Sequence, residues 1–471
     1  MTNSHIEAPP AQDDAQRRRT RRVVAASVAG NAMEWYDFFI YGTAAALVFG
    51  ELFFPKGTDP MLGTMGAFAG FAVGFFARPL GGVIFGHVGD RYGRKLALEW
   101  TLGLMGVATF LIGLLPTYEQ IGFWAPVAMV VLRLMQGAAA GGEWGGGVLL
   151  ISEAVDGRRR GFFSAWSQLG VAGGFVLSSG VFMLAQQLPH EDFMSWGWRL
   201  PFLLSFIIFG VGLYIRKRIP ESEEFVRARK KSDTRMPAVE VFRKYPRQVF
   251  TAMGLRIAEN GGSYIFLAFA LAYGKFLGIS NDVMLGGVLF SMFIELGTLV
   301  WFGHLSDRIG RRTVYLIGAG GLMLVAFPFF WLVQTQQTVW IFLAFFLGNT
   351  VCHAAMIGTQ PAYFAELFPA EVRYTGLALG HELASVFAGG LSPLIAMALL
   401  RHYESATPVA WFLMGMAAIT VVTLLLTREP DRDTGGRSTD DVGAQARGAA
   451  PRGPGERGGN VHGTGVRGAD A

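Results

Sequence analysis

The sequence predicts an all-α integral membrane protein with twelve transmembrane helices arranged as two six-helix bundles. The composition is the first indication, because 52% of the 471 residues are hydrophobic and only 16% are charged, against roughly 25% charged residues in a soluble protein. The second is a set of twelve apolar segments whose flanking basic residues alternate between two sides. The third is a ten-residue motif that occurs twice, 217 residues apart.

The apolar segments define the number of spans, because a membrane helix needs about 20 mostly apolar residues. They cover 24–53, 61–86, 97–116, 121–152, 162–188, 198–217, 248–277, 282–303, 313–333, 337–365, 375–401 and 408–427. Five arginines precede the first segment, as in a signal peptide. A signal peptide, however, has an apolar region of only ~7–15 residues that ends at a small-residue cleavage site. We therefore expect a retained first helix.

The distribution of basic residues fixes the predicted orientation. With both termini in the cytoplasm, the inner loops and the N-terminus hold 26 Lys and Arg, and the outer loops hold four. This bias follows the positive-inside rule. The chain then divides into a disordered N-terminus (1–22), a first bundle (23–217), a central cytoplasmic loop (218–247), a second bundle (248–427) and a disordered tail (428–471). The tail has eleven glycines and no net charge, so it cannot bury a core.

Several function classes are disfavoured by composition. A single cysteine, Cys352, excludes a disulfide within the chain. The sequence has neither a His/Cys cluster with metal spacing nor a phosphate-binding loop, so we expect no cofactor, no metal and no ATP-driven step. The formal charge of +5 is spread over short loops, which is typical of membrane topology rather than of nucleic-acid binding. We expect a monomer in the cell (inner) membrane and not an enzyme.

The repeated motif connects equivalent helices of the two halves. Residues 86–95 read GHVGDRYGRK between the second and third segments, and residues 303–312 read GHLSDRIGRR between the eighth and ninth. This motif resembles the G-x-x-x-D-R-x-G-R-R loop of the major facilitator superfamily. The resemblance implies two six-helix bundles with a substrate site near mid-membrane between them. The predicted gating residues are Gly86, Asp90, Arg91, Gly93, Arg94, Gly303, Asp307, Arg308, Gly310 and Arg311.

The motif has a physical logic. Its glycines allow a tight turn and close helix approach, and its aspartate suits a helix N-terminus, where the helix dipole favours negative charge. Its arginines can pair with acids of the neighbouring bundle and so latch one conformation. The alternative is that the arginines only determine topology.

Four further segments narrow the resemblance to the metabolite:proton symporter subfamily. They are residues 31–38 (NAMEWYDF), 76–82 (FARPLGG), 141–147 (GGEWGGG) and 195–202 (SWGWRLPF). The resemblance covers about residues 23–427 and looks nearest to the shikimate-type branch. It implies proton-coupled uptake of a small organic acid, such as shikimate, an aromatic acid or a dicarboxylate.

Ionisable residues inside spans cost roughly 2.5–3.5 kcal/mol each, so they are functional candidates. Asn31, Glu34, Asp37 and Tyr41 are spaced to share one face of the first helix. Two carboxylates one turn apart in a poorly hydrated site do not both ionise easily, so we expect one of them, preferably Asp37, to carry the coupled proton. The alternative is that both acids pair permanently with arginines.

The other first-half candidates lie in the second, fourth and fifth helices. Arg133 and Gln136 resemble an R-x-x-Q-G motif of the superfamily, and Arg133 suits either an acid of the first helix or a substrate carboxylate. Glu143 is a coupling or a structural residue. Arg78 either reaches the cytoplasmic surface and serves the latch or binds substrate. Gln168 is a weaker candidate for substrate binding.

The second half contributes the remaining candidates for substrate binding. They are Arg256, Asn260, His353, Gln360, Tyr363, His381 and Glu382, with Glu295 as a weaker one. For Arg256 the alternative is a local pair with Glu259, and for each histidine it is a satisfied core position.

Three other functions compete with organic-acid symport. A zwitterion such as proline or betaine would place the same acids against an ammonium group. Proton-coupled drug export would use the same R-x-x-Q-G motif. A membrane enzyme or receptor is disfavoured by the short loops and the lack of a catalytic constellation.

Overall fold

The computed structural model describes residues 28, 30–33, 35–92, 94–141, 160–217, 238–369 and 372–427. Within these ranges the chain is almost entirely helical and forms no strand. The predicted disordered ends, 1–22 and 428–471, lie outside the described residues, as does most of the predicted central loop. The last part of that loop contains a short helix, Ala238–Lys244.

Twelve long helices occur in the described ranges, and we number them α1 to α12. In the first half they are α1 (described at 30–33 and 35–52), α2 (Pro60–Tyr92), α3 (Arg94–Leu114), α4 (Trp124–Ala140), α5 (Arg160–Ala185) and α6 (Leu200–Lys217). In the second half they are α7 (246–276), α8 (Asn281–Ile309), α9 (Arg311–Gln334), α10 (Thr338–Leu367), α11 (373–403) and α12 (Thr407–Leu426).

Most of these helices are apolar enough to cross a membrane. Eight of them, α2, α5, α6 and α8 to α12, contain stretches of sufficient length and hydropathy, and two shorter apolar helices lie in α3 and α4. The remaining two are α1, which is described only in part, and α7. Helix α7 carries Arg256, Glu259 and Asn260 in its middle, all buried. A polar mid-helix that faces the protein interior indicates a functional site.

The repeated motif is helical rather than a loop. We expected the second and eighth spans to end near residues 86 and 303, but α2 continues to Tyr92 and α8 to Ile309. Charged residues can extend a helix beyond the bilayer, because hydropathy marks only the part of the helix that lies in lipid. The turn between α8 and α9 is a single residue, Gly310, whose φ of 107° favours glycine.

The two halves meet along two lines of contact, α5 against α8 and α10, and α2 against α11. Small residues bring the backbones together there. A Cβ atom added at Gly161 of α5 would lie 2.6 Å from the carbonyl oxygen of Gly303 of α8. Small residues at helix interfaces are typical of membrane proteins, in which van der Waals packing drives helix association.

Candidate functional site

A cavity lies between the halves, where α1 and α5 face α7, α8 and α10. Its volume, traced by the centre of a water-sized sphere, is about 20 Å³, which is room for about one water molecule. Aromatic rings form much of its wall, from Trp35, Phe39, Phe175 and Tyr264. The polar lining residues are Gln168, Arg256, Glu259, Asn260, Ser263, Glu295 and His353. Mostly apolar walls with a few convergent polar groups are typical of small-molecule sites.

Arg256 of α7 is held in place by two side chains. Its Nη1 donates to Glu259 Oε2 at 2.6 Å and to Gln360 Oε1 at 2.7 Å. The Gln360 amide donates in turn to Glu259 Oε2 at 3.1 Å and to the Tyr315 hydroxyl at 2.9 Å. The local Arg256–Glu259 pair expected as the alternative therefore exists, but it belongs to a larger buried network that faces the cavity.

His353 of α10 connects two acids that come from different helices. Its Nδ1 lies 2.7 Å from Glu295 Oε1 on α8, and its Nε2 lies 3.3 Å from Glu259 Oε1 on α7. All three side chains are buried. The chain Glu295–His353–Glu259–Arg256 thus joins three helices of the second half along one wall of the cavity.

A buried ion pair links the two halves. Arg78 Nε of α2 donates to Glu382 Oε2 of α11 at 2.6 Å, and Arg78 Nη2 lies 3.3 Å from Oε1. His381 Nδ1 is 2.9 Å from the same Oε1. Arg78 is only 2% exposed, among the rings of Trp35 and Phe38. One alternative for Arg78 was that its side chain reaches the cytoplasmic surface. The burial of this side chain shows that it does not.

Arg133 of α4 has a different environment. Its Nη1 donates to Gln136 Oε1 at 2.8 Å, and its guanidinium lies 3.9 Å from the centroid of the Tyr41 ring. Gln136 donates to Thr109 Oγ1 at 2.6 Å. Arg133 is fully buried, and within the described ranges no carboxylate pairs with it. One alternative paired Arg133 with an acid of the first helix. No such pair with Asp37 is found, and Glu34 lies outside the described residues.

The remaining candidates are distributed around the cavity and away from it. Asn31 donates to the Ser167 carbonyl of α5 at 2.7 Å, a contact that connects two helices. Asp37 and Tyr363 are buried, but neither lines the cavity. Gln168 and Asn260 do line it. Glu143 lies outside the described residues.

The second-half motif closes one end of the molecule, which we call the motif end. Asp307 accepts hydrogen bonds from the backbone N–H groups of Gly161 and Phe162, each at 2.9 Å, at the N-terminus of α5. The motif aspartate therefore occupies the predicted helix N-terminus, and it does so across the two halves. Arg311 pairs with Asp307 at 2.9 Å and with Glu366 at 2.8 Å.

Asp307 therefore joins the second-half motif directly to the other half, and Arg311 pairs with the acid that makes this contact. In the first-half motif, Gly86, Asp90, Arg91 and Arg94 have helical backbones, but their side chains lie outside the described part of the structure, as does Gly93. Arg308 is exposed.

The opposite end is closed by ion pairs between the halves. Lys275 at the end of α7 pairs with Glu51 at the end of α1. Arg401 of α11 lies 3.8 Å from Asp59, just before α2. With Asp307 bound to α5 at the motif end, the cavity is enclosed by contacts between the halves on both sides.

Comparison with known proteins decides the family. The sequence matches the model of the Major Facilitator Superfamily over residues 28–393 and 297–455. The protein belongs to the major facilitator superfamily.

Named relatives cover nearly the whole chain. The Shikimate transporter of Escherichia coli (strain K12) is 40% identical over 439 residues, which are 92% of this chain and 100% of the relative. The Proline/betaine transporter of the same strain is 35% identical over 429 residues, 87% of this chain and 84% of the relative. Among solved structures, the xylose transporter XylE from E. coli in a partially occluded inward-open conformation is similar with a TM-score of 0.69. It covers 89% of this chain and 99% of its own at 18% identity, which shows the fold alone.

The sequence-based resemblance and the predicted twelve-helix fold are thus confirmed. The chain is a secondary transporter of the major facilitator type, an integral membrane protein rather than an enzyme. Because the two halves are in contact at both ends of the molecule, the conformation is occluded. Because its cavity holds about one water, a metabolite can enter only after the halves move apart.

Some residues of this site gave only a weak signal in the sequence. Glu295 was a weaker candidate, although an acid in the apolar middle of α8 was a usable signal. Tyr315, which accepts from Gln360 and donates to the Leu255 carbonyl at 2.9 Å, gave no signal, because a tyrosine in an apolar helix is ordinary. Trp35 gave no signal beyond its place in the segment 31–38, and Phe39 gave none.

Proposed function

We propose that this transporter takes up a small organic acid together with a proton, with shikimate-like and aromatic acids as the first substrate class. One observation carries the proposal. The cavity between the halves combines an arginine, Arg256, with the titratable groups Glu259, Glu295 and His353. Arginine suits the recognition of a carboxylate, and the titratable groups suit proton binding. The 40% identity to a protein named Shikimate transporter supports the substrate class.

The accompanying features follow from the sequence. We place the transporter in the inner membrane with both termini in the cytoplasm, on the basis of the distribution of basic residues. We also propose that it is a monomer. Transport proceeds by alternating access. The first-half residues Asp37, Glu34, Arg133 and Glu143 remain the predicted coupling group. Arg133 has no described carboxylate partner, which favours its role as a ligand for the anionic substrate.

The direct test is uptake into proteoliposomes that contain the purified protein, with an inward proton gradient and the membrane potential held at zero. The panel comprises shikimate, benzoate, succinate, glycine betaine and a lipophilic cation. Each coupled proton supports about tenfold accumulation per pH unit, because tenfold corresponds to about 1.4 kcal/mol. Accumulation of an organic acid above its level in protein-free liposomes supports the proposal, and acid-independent transport of all five compounds contradicts it.

Asp37→Asn tests the predicted coupling residue of the first half. Asparagine keeps the size of the side chain but cannot carry the proton, so gradient-driven accumulation should fall about tenfold per pH unit while exchange of labelled for unlabelled substrate continues. Glu191→Gln, at an exposed position of the short helix His190–Ser195, is the control. Unchanged accumulation in the Asp37 variant would remove this residue from the mechanism.

A second substrate class is favoured by the walls of the cavity. Trp35, Phe39, Phe175 and Tyr264 surround a site that also contains Glu259 and Glu295, and aromatic faces with acids attract quaternary ammonium groups. The 35% identity to a Proline/betaine transporter agrees with this candidate. Accumulation of glycine betaine, but of no organic acid in the panel, would select it.

A further inference from the structure

The second half holds a group of ionisable residues that the predicted coupling site does not include. Glu259, Glu295 and His353 come from α7, α8 and α10 and meet beside the cavity. We propose that these three residues, which we call the second-half triad, form a proton-binding site that takes up one proton per transport cycle. This inference rests on the proposed function, because it assumes proton-coupled transport.

The hydrogen bonds of His353 require an additional proton. Each ring nitrogen lies next to a carboxylate oxygen, Nδ1 at 2.7 Å from Glu295 and Nε2 at 3.3 Å from Glu259. A neutral imidazole donates from only one nitrogen. If both acids were ionised, the other nitrogen would direct its lone pair at a carboxylate oxygen. One extra proton removes this conflict, either as an imidazolium that donates twice or as a carboxyl group that donates to the ring.

The net charge of the cluster also indicates one additional proton. Arg256 and Glu259 neutralise each other through their 2.6 Å contact. Glu295 has no comparable cation, and within the described ranges its Oε2 has no hydrogen-bond partner. With neutral His353 the cluster carries one net negative charge in a buried site, and with one proton it is neutral. Uncompensated buried charge is costly, so the occluded state favours the protonated cluster.

Other titratable or charged groups that face this cluster do not remove the need for that proton. They are Tyr264 on α7, Tyr315 on α9, Tyr363 on α10, and His381 and Glu382 on α11, with Arg78 and Arg133 acting on the same region from α2 and α4. Arg78 and Glu382 compensate each other. The tyrosines are neutral at physiological pH. The extra proton therefore decides the net charge of the triad and Arg256 taken together.

The position of the triad explains how its proton is coupled to substrate. All three residues line the cavity, so an organic anion that enters lies beside them. An anion next to a deprotonated cluster would place two net negative charges in one buried site, whereas an anion next to the protonated cluster leaves one. Arg256 in the same wall favours the anion's carboxylate. Substrate and proton therefore bind together and leave together.

The internal repeat gives Glu295 a counterpart. With the 217-residue offset of the motifs, Glu295 of α8 corresponds to Arg78 of α2. Both lie eight residues before the first motif glycine, that is, about 12 Å inward along the helix. The two halves thus place an ionisable residue at the same depth, a cation that bridges the halves in one case and an acid paired with His353 in the other.

The test uses Glu295→Gln in the full-length protein reconstituted into proteoliposomes, with shikimate as the probe. Glutamine has the shape of glutamate but makes the cluster neutral without the proton. We expect exchange of labelled shikimate to remain within about threefold of wild type. With the membrane potential held at zero, accumulation driven by one pH unit should fall about tenfold. Glu191→Gln should behave as wild type.

The possible outcomes separate the two proposals. If wild type accumulates shikimate with the gradient and Glu295→Gln does so equally well, the triad is not a proton site and the proposed function stands. If wild type shows no gradient-driven accumulation, the proposed function fails, and the triad proposal with it. If Glu295→Gln loses exchange and accumulation together, Glu295 is structural and the proton-site proposal is overturned.

Discussion

Glu382→Gln should weaken the contact between α2 and α11 and shift the transporter out of its occluded conformation. The wild-type carboxylate accepts from Arg78 at 2.6 and 3.3 Å, and both side chains are almost completely buried, with 6% and 2% of their surfaces exposed. Glutamine removes the carboxylate charge that faces the guanidinium in this buried site. Opening of the halves lets water reach Arg78, so the variant loses stability mainly in the closed state.

The size of the shift follows from the geometry of the pair. Removing one partner of a buried ion pair costs about 3–5 kcal/mol in soluble proteins, whereas interhelical hydrogen bonds in membranes average about 0.6 kcal/mol. Because this pair is charged, buried and joined by two contacts, we expect about 3 kcal/mol, or about 150-fold in the equilibrium between closed and open states. Arg78→Gln should cost a similar amount. The double variant should recover at least half of the loss, because it removes both charges of the pair.

Spin-label distances measure this equilibrium. In a Cys352→Ser background, labels at Ile121 and Thr338 report the end opposite the motif, and labels at Leu96 and Ile309 report the motif end; all four label positions are exposed. Each single variant should broaden or lengthen the distance distribution at one end or both. Distributions identical to wild type in both single variants, or a double variant as perturbed as the sum of the two, would refute the argument.

Two further predictions concern the motif end. Gly310→Ala should destabilise the protein by about 1–2 kcal/mol, because φ is 107° at this turn and left-handed backbone is unfavourable for alanine. Thermal unfolding in detergent measures this, with Gly297→Ala as control, since no atom lies within 4 Å of a Cβ there; equal melting temperatures would contradict the prediction. Asp307→Asn should open the motif end by about 2–3 kcal/mol, because one of its two bonds to the Gly161 and Phe162 amides is lost. Spin labels on α3 and α8 at that end check this, and an unchanged distance would show that the aspartate does not hold the halves together.

Several features of the transporter could be predicted from its sequence, because they depend on sums along the chain. Hydropathy over about 20 residues identifies a span without knowledge of its neighbours. The repeated motif identified the family, and Gly303 and Asp307 have the close packing and helix N-terminus expected of them. The ends of α2 and α8 were misplaced, because helices continue into water where hydropathy falls.

The site was predicted as a set of residues but not as an arrangement. Charged and polar groups are rare inside spans, so they could be chosen as candidates from the sequence. Four of these candidates line the cavity: Gln168, Arg256, Asn260 and His353. Their sequence positions did not reveal that Asn31 connects α1 to α5 instead of facing the cavity. The direction of a side chain depends on the rotation of its helix against its neighbours, which hydropathy does not encode.

What the sequence determined by itself is the number of spans, the family and the short list of residues whose burial in lipid would be costly. What only the tertiary structure decided is which of these residues compensate one another. Arg78 meets Glu382 across 304 positions of the chain, and His353 meets Glu295 across 58. Such pairs depend on the packing of separate helices, and ionic contacts act over a few ångströms in space irrespective of distance along the chain.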